Sequence, residues 1–252
     1  LTFDTTNGGS LATGANITFS KTLSSTNPGL SQVTIQAGSA GVVKLMGAVG
    51  QDASLINSPL RSLVVSAGGG IIISAGLIQT TGAQTYNNPV TLGASTALIA
   101  DQINWGKVTA IVPGVSLTLV SQGDQALTDI SVTGDLNVFT GLGGVRGGVS
   151  QVAGSALVVM GSSTFTADTV VAQQASLNSA TNQIKALSFK TANGGSWQYV
   201  TVLTTEGLKL SSDAALTLRE IKTGGDTEIV TQGKVDLGTS VFGGKLKVNS
   251  GG

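Results

Sequence analysis

One offset constrains this chain more than any other feature: near the C-terminus, equivalent residues recur every 19 positions. Leu216 maps onto Val235, Leu218 onto Leu237, Ile229 onto Val248, and the pair Gly224-Gly225 onto Gly243-Gly244. One repeat upstream, Trp197 and Tyr199 fall in the Leu216 and Leu218 columns, and Leu210 falls under Ile229. In the middle of the chain Leu117 and Leu119 map onto Leu136 and Val138 at the same offset; the next copy, Leu157 and Val159, comes two residues late. Equal spacing means that each segment pairs with its own copy one repeat on, hence in parallel, which a sandwich of hairpins does not produce.

What repeats is strand. Apolar–polar–apolar triads run through the chain, among them Ile17-Thr18-Phe19, Val33-Thr34-Ile35, Ile130-Ser131-Val132 and Leu246-Lys247-Val248. Period two with β-branched residues signals a strand with one buried face, and Gly, Asn, Ser and Asp end each short run as turn formers. The best helical stretch, residues 170–187, has no clean stripe of period 3.6, so strand is favoured there as well. Residues 28–92 repeat more loosely, with Pro28, Pro59 and Pro89 each opening an apolar segment and residues 30–38 resembling 60–68. The reading is a single all-β domain over 1–252, a right-handed parallel β-helix with coils of about 19 to 30 residues. Coils are expected to be longer and looser over 1–112 and more regular over 113–252.

Charge supports the register. Lys209, Glu228 and Lys247 share the 19-residue offset as one outward column of alternating sign, and Asp226 falls in register with Lys245. These five residues are expected to form structural charge columns, since opposite charges on neighbouring strands attract weakly.

Composition then removes whole classes of function. Thirteen basic and thirteen acidic residues cancel, so there is no electrostatic footprint for nucleic acid or an anionic membrane. The densest apolar run, residues 68–78, falls short of the roughly eighteen residues of a membrane span, and no membrane insertion is expected. With no histidine and no cysteine, the chain has no Ser-His-Asp triad, no histidine- or thiolate-held metal and no disulfide. It begins at Leu1 without methionine or a signal peptide and stops in mid-pattern at Gly251-Gly252, so it is expected to be an excerpt of something longer.

Each remaining site candidate has a plainer explanation. Ala37-Gly38-Ser39-Ala40-Gly41 lacks the first glycine of a nucleophile elbow and any base, and reads as a turn. Residues 141–148 are glycine-rich, but Arg146 replaces the third glycine of a dinucleotide fingerprint and no helix follows, so a loop is expected. Asp226 and Glu228 lie near the carboxylate spacing of a glycosidase, yet both have lysine column partners. Asp124 and Asp129 flank a turn, and the glycine–aspartate repeat of calcium-binding β-rolls is absent. Trp197 and Tyr199 are assigned to the interior over Leu216 and Leu218, with Trp105 alike, rather than to a sugar-stacking platform. Asn16-Ile17-Thr18 is the one glycosylation sequon. No catalytic residue, metal or cofactor is assigned.

Three runs carry a family resemblance. The first is Thr80-Thr81-Gly82-Ala83-Gln84-Thr85-Tyr86-Asn87-Asn88-Pro89-Val90-Thr91-Leu92-Gly93-Ala94, the second Gly134-Asp135-Leu136-Asn137-Val138, and the third residues 154–167 with the core Ala156-Leu157-Val158-Val159-Met160-Gly161. Together they resemble the repeat region of filamentous-haemagglutinin-like adhesins, which Gram-negative bacteria export by two-partner secretion. The resemblance implies a β-helical shaft, an extracellular or cell-surface location, and a role in adhesion or biofilm. It carries over no catalytic residues, and the family's secretion domain is not identifiable in this chain. The expected function is a structural adhesin shaft with polysaccharide or cell-surface ligands as partners. A β-helical carbohydrate-active enzyme and a self-associating extracellular fibre subunit are the alternatives.

Overall fold

The computed structural model describes every residue except Ala53, Leu55, Ile56, Val145, Thr169, Val170 and Gly252. The described residues form thirty short strands and no helix, and the strand pairs of the sheets are parallel. The expected all-β parallel solenoid is the architecture found, with coils averaging roughly 22 residues. Where helix and strand competed, residues 171–187 are strand: Ala172–Gln173, Ala175–Leu177, Gln183–Ile184 and the start of Ala186–Thr191. Val170, the first residue of that stretch, lies outside the described residues.

The chain divides into two compact units, Leu1–Leu117 and Thr118–Gly252. In the first, the coils stack on three faces, two of them built of strands throughout. The first face stacks Thr2–Asp4, Gln32–Gln36, Ser62–Ser66, Gln84–Tyr86 and Ile103–Asn104. The second stacks Ile17–Phe19, Val43–Leu45, Ile71–Ile73, Val90–Leu92 and Lys107–Ala110. The third begins as single bridges, Leu23 to Val49 to Ile78, and continues through Leu77–Gln79 and Thr96–Ala100. Alternation gives each strand an inward file, and the inward residues Val43, Ile71, Val90 and Val108 stack one above another.

The prolines are only partly in register. Val33 pairs with Leu63, 30 residues on, and Gly29 donates to the Pro59 carbonyl, so Pro28 and Pro59 mark the same corner. Pro89 does not continue that series. The next coil is shorter, with Leu63 opposite Gln84, and the Pro89 carbonyl accepts from Ile71 on the second face. Corner loops change length between coils, which breaks a fixed proline spacing while leaving strand pairing intact.

The second unit also starts with three faces. Its first carries Gln125–Leu127, Val149–Gln151, Ala175–Leu177, then the long strands Ser196–Thr204 and Leu216–Thr223. Its second carries Asp129–Val132, Leu157–Val159 and Gln183–Ile184, and ends there. Its third runs Leu136–Thr140, Ser163–Ala167, Ala186–Thr191, Leu208–Ser212, Thr227–Thr231 and Leu246–Ser250.

Along the third face the inward file reads Leu136, Ser163, Leu187, Leu210, Ile229 and Val248, separated by 27, 24, 23, 19 and 19 residues. Leu157 and Val159 are therefore not late copies of Leu136 and Val138; they pair with Ile130 and Val132 on the second face. Offsets of 19 recur in both units, as from Ile71 to Val90 in the first, and they hold through the C-terminal turns of the second, where the second face has no further strand among the described residues and the first carries the long strands Ser196–Thr204 and Leu216–Thr223. At the corners of those turns glycine is required by proximity: a Cβ on Gly243 would sit 2.6 Å from the Gly224 carbonyl carbon.

A fully buried aromatic stack lies in this part of the core. Phe165 and Phe189 meet edge-on at 5.8 Å, Phe189 and Trp197 pack at a tilt at 5.1 Å, and the indole N–H of Trp197 donates to the Lys190 carbonyl at 2.9 Å. Trp197 is fully buried opposite Leu216, as expected. Tyr199 corrects the sequence reading. It adopts φ 53° in a bulge, is 58 % exposed, and leaves Val200 to pair with Leu218. The bulge adds one residue to the strand, so strict alternation counted through it puts the wrong side chain inside.

Candidate functional site

The residues singled out by charge lie on the third face of the second unit. Lys209 pairs with Glu228 and Glu228 with Lys247 along adjacent parallel strands. The Glu228 carboxylate accepts from Lys247 Nζ at 2.8 Å and lies 3.8 Å from Lys209 Nζ. The Lys247 hydrogen bond, then its charge, holds the Glu228 carboxyl below the usual glutamate range, helped least by Lys209. The column is solvent-exposed, so it specifies register rather than supplying much stability.

Asp226 behaves differently from its column assignment. It is in register with Lys245, but its Oδ1 accepts the Lys245 backbone N–H at 2.7 Å, and no ion pair forms with the ammonium. This is a general device in the second unit. Asp124 accepts from the Gly148 backbone at 2.6 Å, Asp129 from Ala156 at 2.8 Å, Asp135 from Ser162 at 2.8 Å and Asp213 from Thr191 at 3.1 Å. Each carboxylate sits at or near the start or end of a strand and takes the N–H of the neighbouring coil, a role equivalent to capping. Asn16 of the sequon does the same for Val42 at 2.8 Å. Sequence reasoning placed Asp124 and Asp129 beside a turn and Asp226 in a charge column, and missed the N–H partner of each; the available signal was an Asp near a corner with a coil length between it and the next corner.

Buried amides hold the corners from within. Asn182 and Gln151 exchange two hydrogen bonds at 2.8 and 2.9 Å, while Asn182 Oδ1 also accepts from Leu157 N and its Nδ2 donates to the Leu203 carbonyl. In the first unit Gln84 Nε2 donates to the carbonyls of Ile78 and Ile99, and its Oε1 accepts from the buried Tyr86 hydroxyl. Burial pushes the Tyr86 phenol up, so it stays a donor. Trp105 stacks beside Tyr86 at 6.5 Å and is buried, as assigned.

The remaining candidates take their plain readings. Ala37-Gly38-Ser39-Ala40-Gly41 is a turn, and the described residues of 141–148 form a loop. Among the described residues no three metal-ligating side chains converge. Beside the charge column, Phe139 and Lys190, the outward surface of the third face carries a file of amide and hydroxyl groups, Asn137, Thr164, Ser188 and Ser211, on four successive coils. No protein-family model, curated protein or solved structure matches the chain.

Proposed function

We propose that this chain is a shaft segment of a bacterial surface adhesin, located outside the cell, whose task is to hold and present adhesive contacts rather than to carry out chemistry. The observation that carries the reading is the commitment of acidic side chains to the fold: the carboxylates of Asp129, Asp135 and Asp226 accept backbone N–H groups of the neighbouring coil and stitch one coil to the next. Parallel pairing adds about 4.8 Å per coil, so reach is gained simply by adding coils. The outward amide and hydroxyl file offers repeated weak contacts, which suit multivalent attachment to polysaccharide or another cell. The resemblance to filamentous-haemagglutinin-like repeats supports the same role and a Gram-negative source.

Display tests the proposal. The chain is placed between an outer-membrane anchor and a binding domain of known ligand, on cells bearing a capsule. Such cells are expected to capture ligand-coated beads that the directly anchored domain cannot reach. Equal capture with and without the chain would overturn the spacer reading.

A further inference from the structure

Away from the lysine–glutamate file, a polar cleft of about 330 Å³ opens beside the loop of residues 141–148 on the first face of the second unit. Asp124, Arg146, Ser150, Gln173, Gln174 and Ser176 line it. Its floor is the parallel pair Val149–Gln151 and Ala175–Leu177, which sets Ser150 directly beside Ser176, one strand spacing or about 4.8 Å away. Gln173 is buried and acts as a clamp: its Oε1 accepts the Gly147 N–H at 2.9 Å and its Nε2 donates to the Val171 carbonyl at 3.4 Å. The clamp fixes the end of the loop next to Arg146.

The charges in the cleft are held apart. Asp124 is tied through Oδ1 to the Gly148 N–H at 2.6 Å. Arg146 is exposed and forms no ion pair with Asp124 or with any other carboxylate among the described residues. A guanidinium without a counter-ion is a planar fork suited to a carboxylate, whereas a fixed carboxylate accepts from hydroxyls. Two serine hydroxyls and the Gln174 amide add groups that both donate and accept. A neutral sugar leaves the guanidinium unmatched, and a phosphate dianion meets Asp124 with only one cation to balance it. The volume is near the lower end of small-molecule sites, about 300–1,000 Å³, which suits one or two sugar rings.

We propose that this cleft binds a carboxylated sugar unit of an acidic polysaccharide, with Arg146 holding the carboxylate and Asp124, Ser150 and Ser176 engaging ring hydroxyls. The inference deepens the adhesive part of the proposed function and rests on it, naming the ligand class and a place on the flank where it docks.

Titration of the full chain with tri-galacturonate, beside the uncharged tri-galactose, tests it by calorimetry and by amide chemical shifts. The acidic trimer is expected to bind saturably and to shift Ser150 and Ser176, with the neutral trimer much weaker. Arg146→Ala is expected to weaken binding roughly tenfold, the worth of one charge-assisted contact. Arg146→Lys recovers only part, because an ammonium cannot fork to both oxygens. Arg146 is exposed, so both variants should melt with the parent, and matched melting curves separate lost binding from lost fold. Equal affinity for the two trimers, unchanged binding by Arg146→Ala, or no binding of the acidic trimer overturns the site. The display assay is unaffected by any of these results, so the spacer reading and this cleft fail independently.

Discussion

Replacing Asn182 by alanine removes four hydrogen bonds from a side chain with no solvent exposure. Gln151 keeps its bonds to the Ser155 carbonyl and the Ser179 N–H, but the Leu157 N–H loses the acceptor that Asn182 supplies. At about 1 kcal/mol net per bond, with the orphaned donor at the upper end, the loss comes to about 4 kcal/mol. For a chain of this size that lowers the melting midpoint by about 10 °C, at roughly 2–4 °C per kcal/mol. The control is Asn178→Ala, an exposed residue of the same type one corner away, expected to stay within about 0.5 kcal/mol. Calorimetry and urea titration of the two variants are the assay. A shift for Asn182→Ala below about 1 kcal/mol, or equal to that of Asn178→Ala, would refute the view that buried amides hold these corners.

Three further perturbations test the packing and the charge file. Leu218→Asp, at a buried inward position, is expected to cost several kcal/mol, whereas Thr217→Asp on the outer side of the same strand should cost about 0.5 kcal/mol or less; equal melting shifts would reverse the faces. Tyr199→Gly is expected to change stability by no more than about 1 kcal/mol, since glycine relieves the positive φ and no core is lost, while Trp197→Ala should cost about 3–5 kcal/mol; a large loss from Tyr199→Gly would put that ring in the core after all. The Glu228 carboxyl, held low in the folded state, contributes stability above the ordinary glutamate range that disappears as pH falls through its folded value. Its titration midpoint by carbon NMR should lie below 4.5 and move up in Lys247→Gln; an unmoved midpoint would remove the pairing.

The C-terminal register was legible because its coils have corners of constant length. Leu216 over Val235 and Ile229 over Val248 follow directly from counting. Upstream, the loop of residues 141–148 and its neighbours vary between coils, so counting slips: Leu136 meets Ser163 and not Leu157. Strand pairing is fixed by hydrogen bonds and inward files, while loop length costs little, so only the first survives as a constant. Tyr199 was misplaced for a local reason, since a bulge looks like ordinary alternation until the backbone is seen. The cleft at Arg146 was invisible because its parts come from three coils whose spacing differs, and the sequence showed only a glycine-rich loop. The aspartate stitches were half legible: the place of Asp124 and Asp129 beside a turn was plain, the N–H each serves was not.

The end of the second face at Gln183–Ile184 also fixes how the second unit responds to force. Upstream of that point three sheets enclose the core, and a closed three-sided tube resists bending about every transverse axis. Downstream the second face has no further strand among the described residues, and the core is enclosed by long bulged strands such as Leu216–Thr223 on the first face and shorter ones such as Thr227–Thr231 on the third. A wall that lacks one of its three sheets is more compliant on the side where that sheet has ended. Lateral load on the second unit therefore concentrates flexure in the coils after Ile184, in one direction, and the Phe165–Phe189–Trp197 stack stands at the root of that hinge.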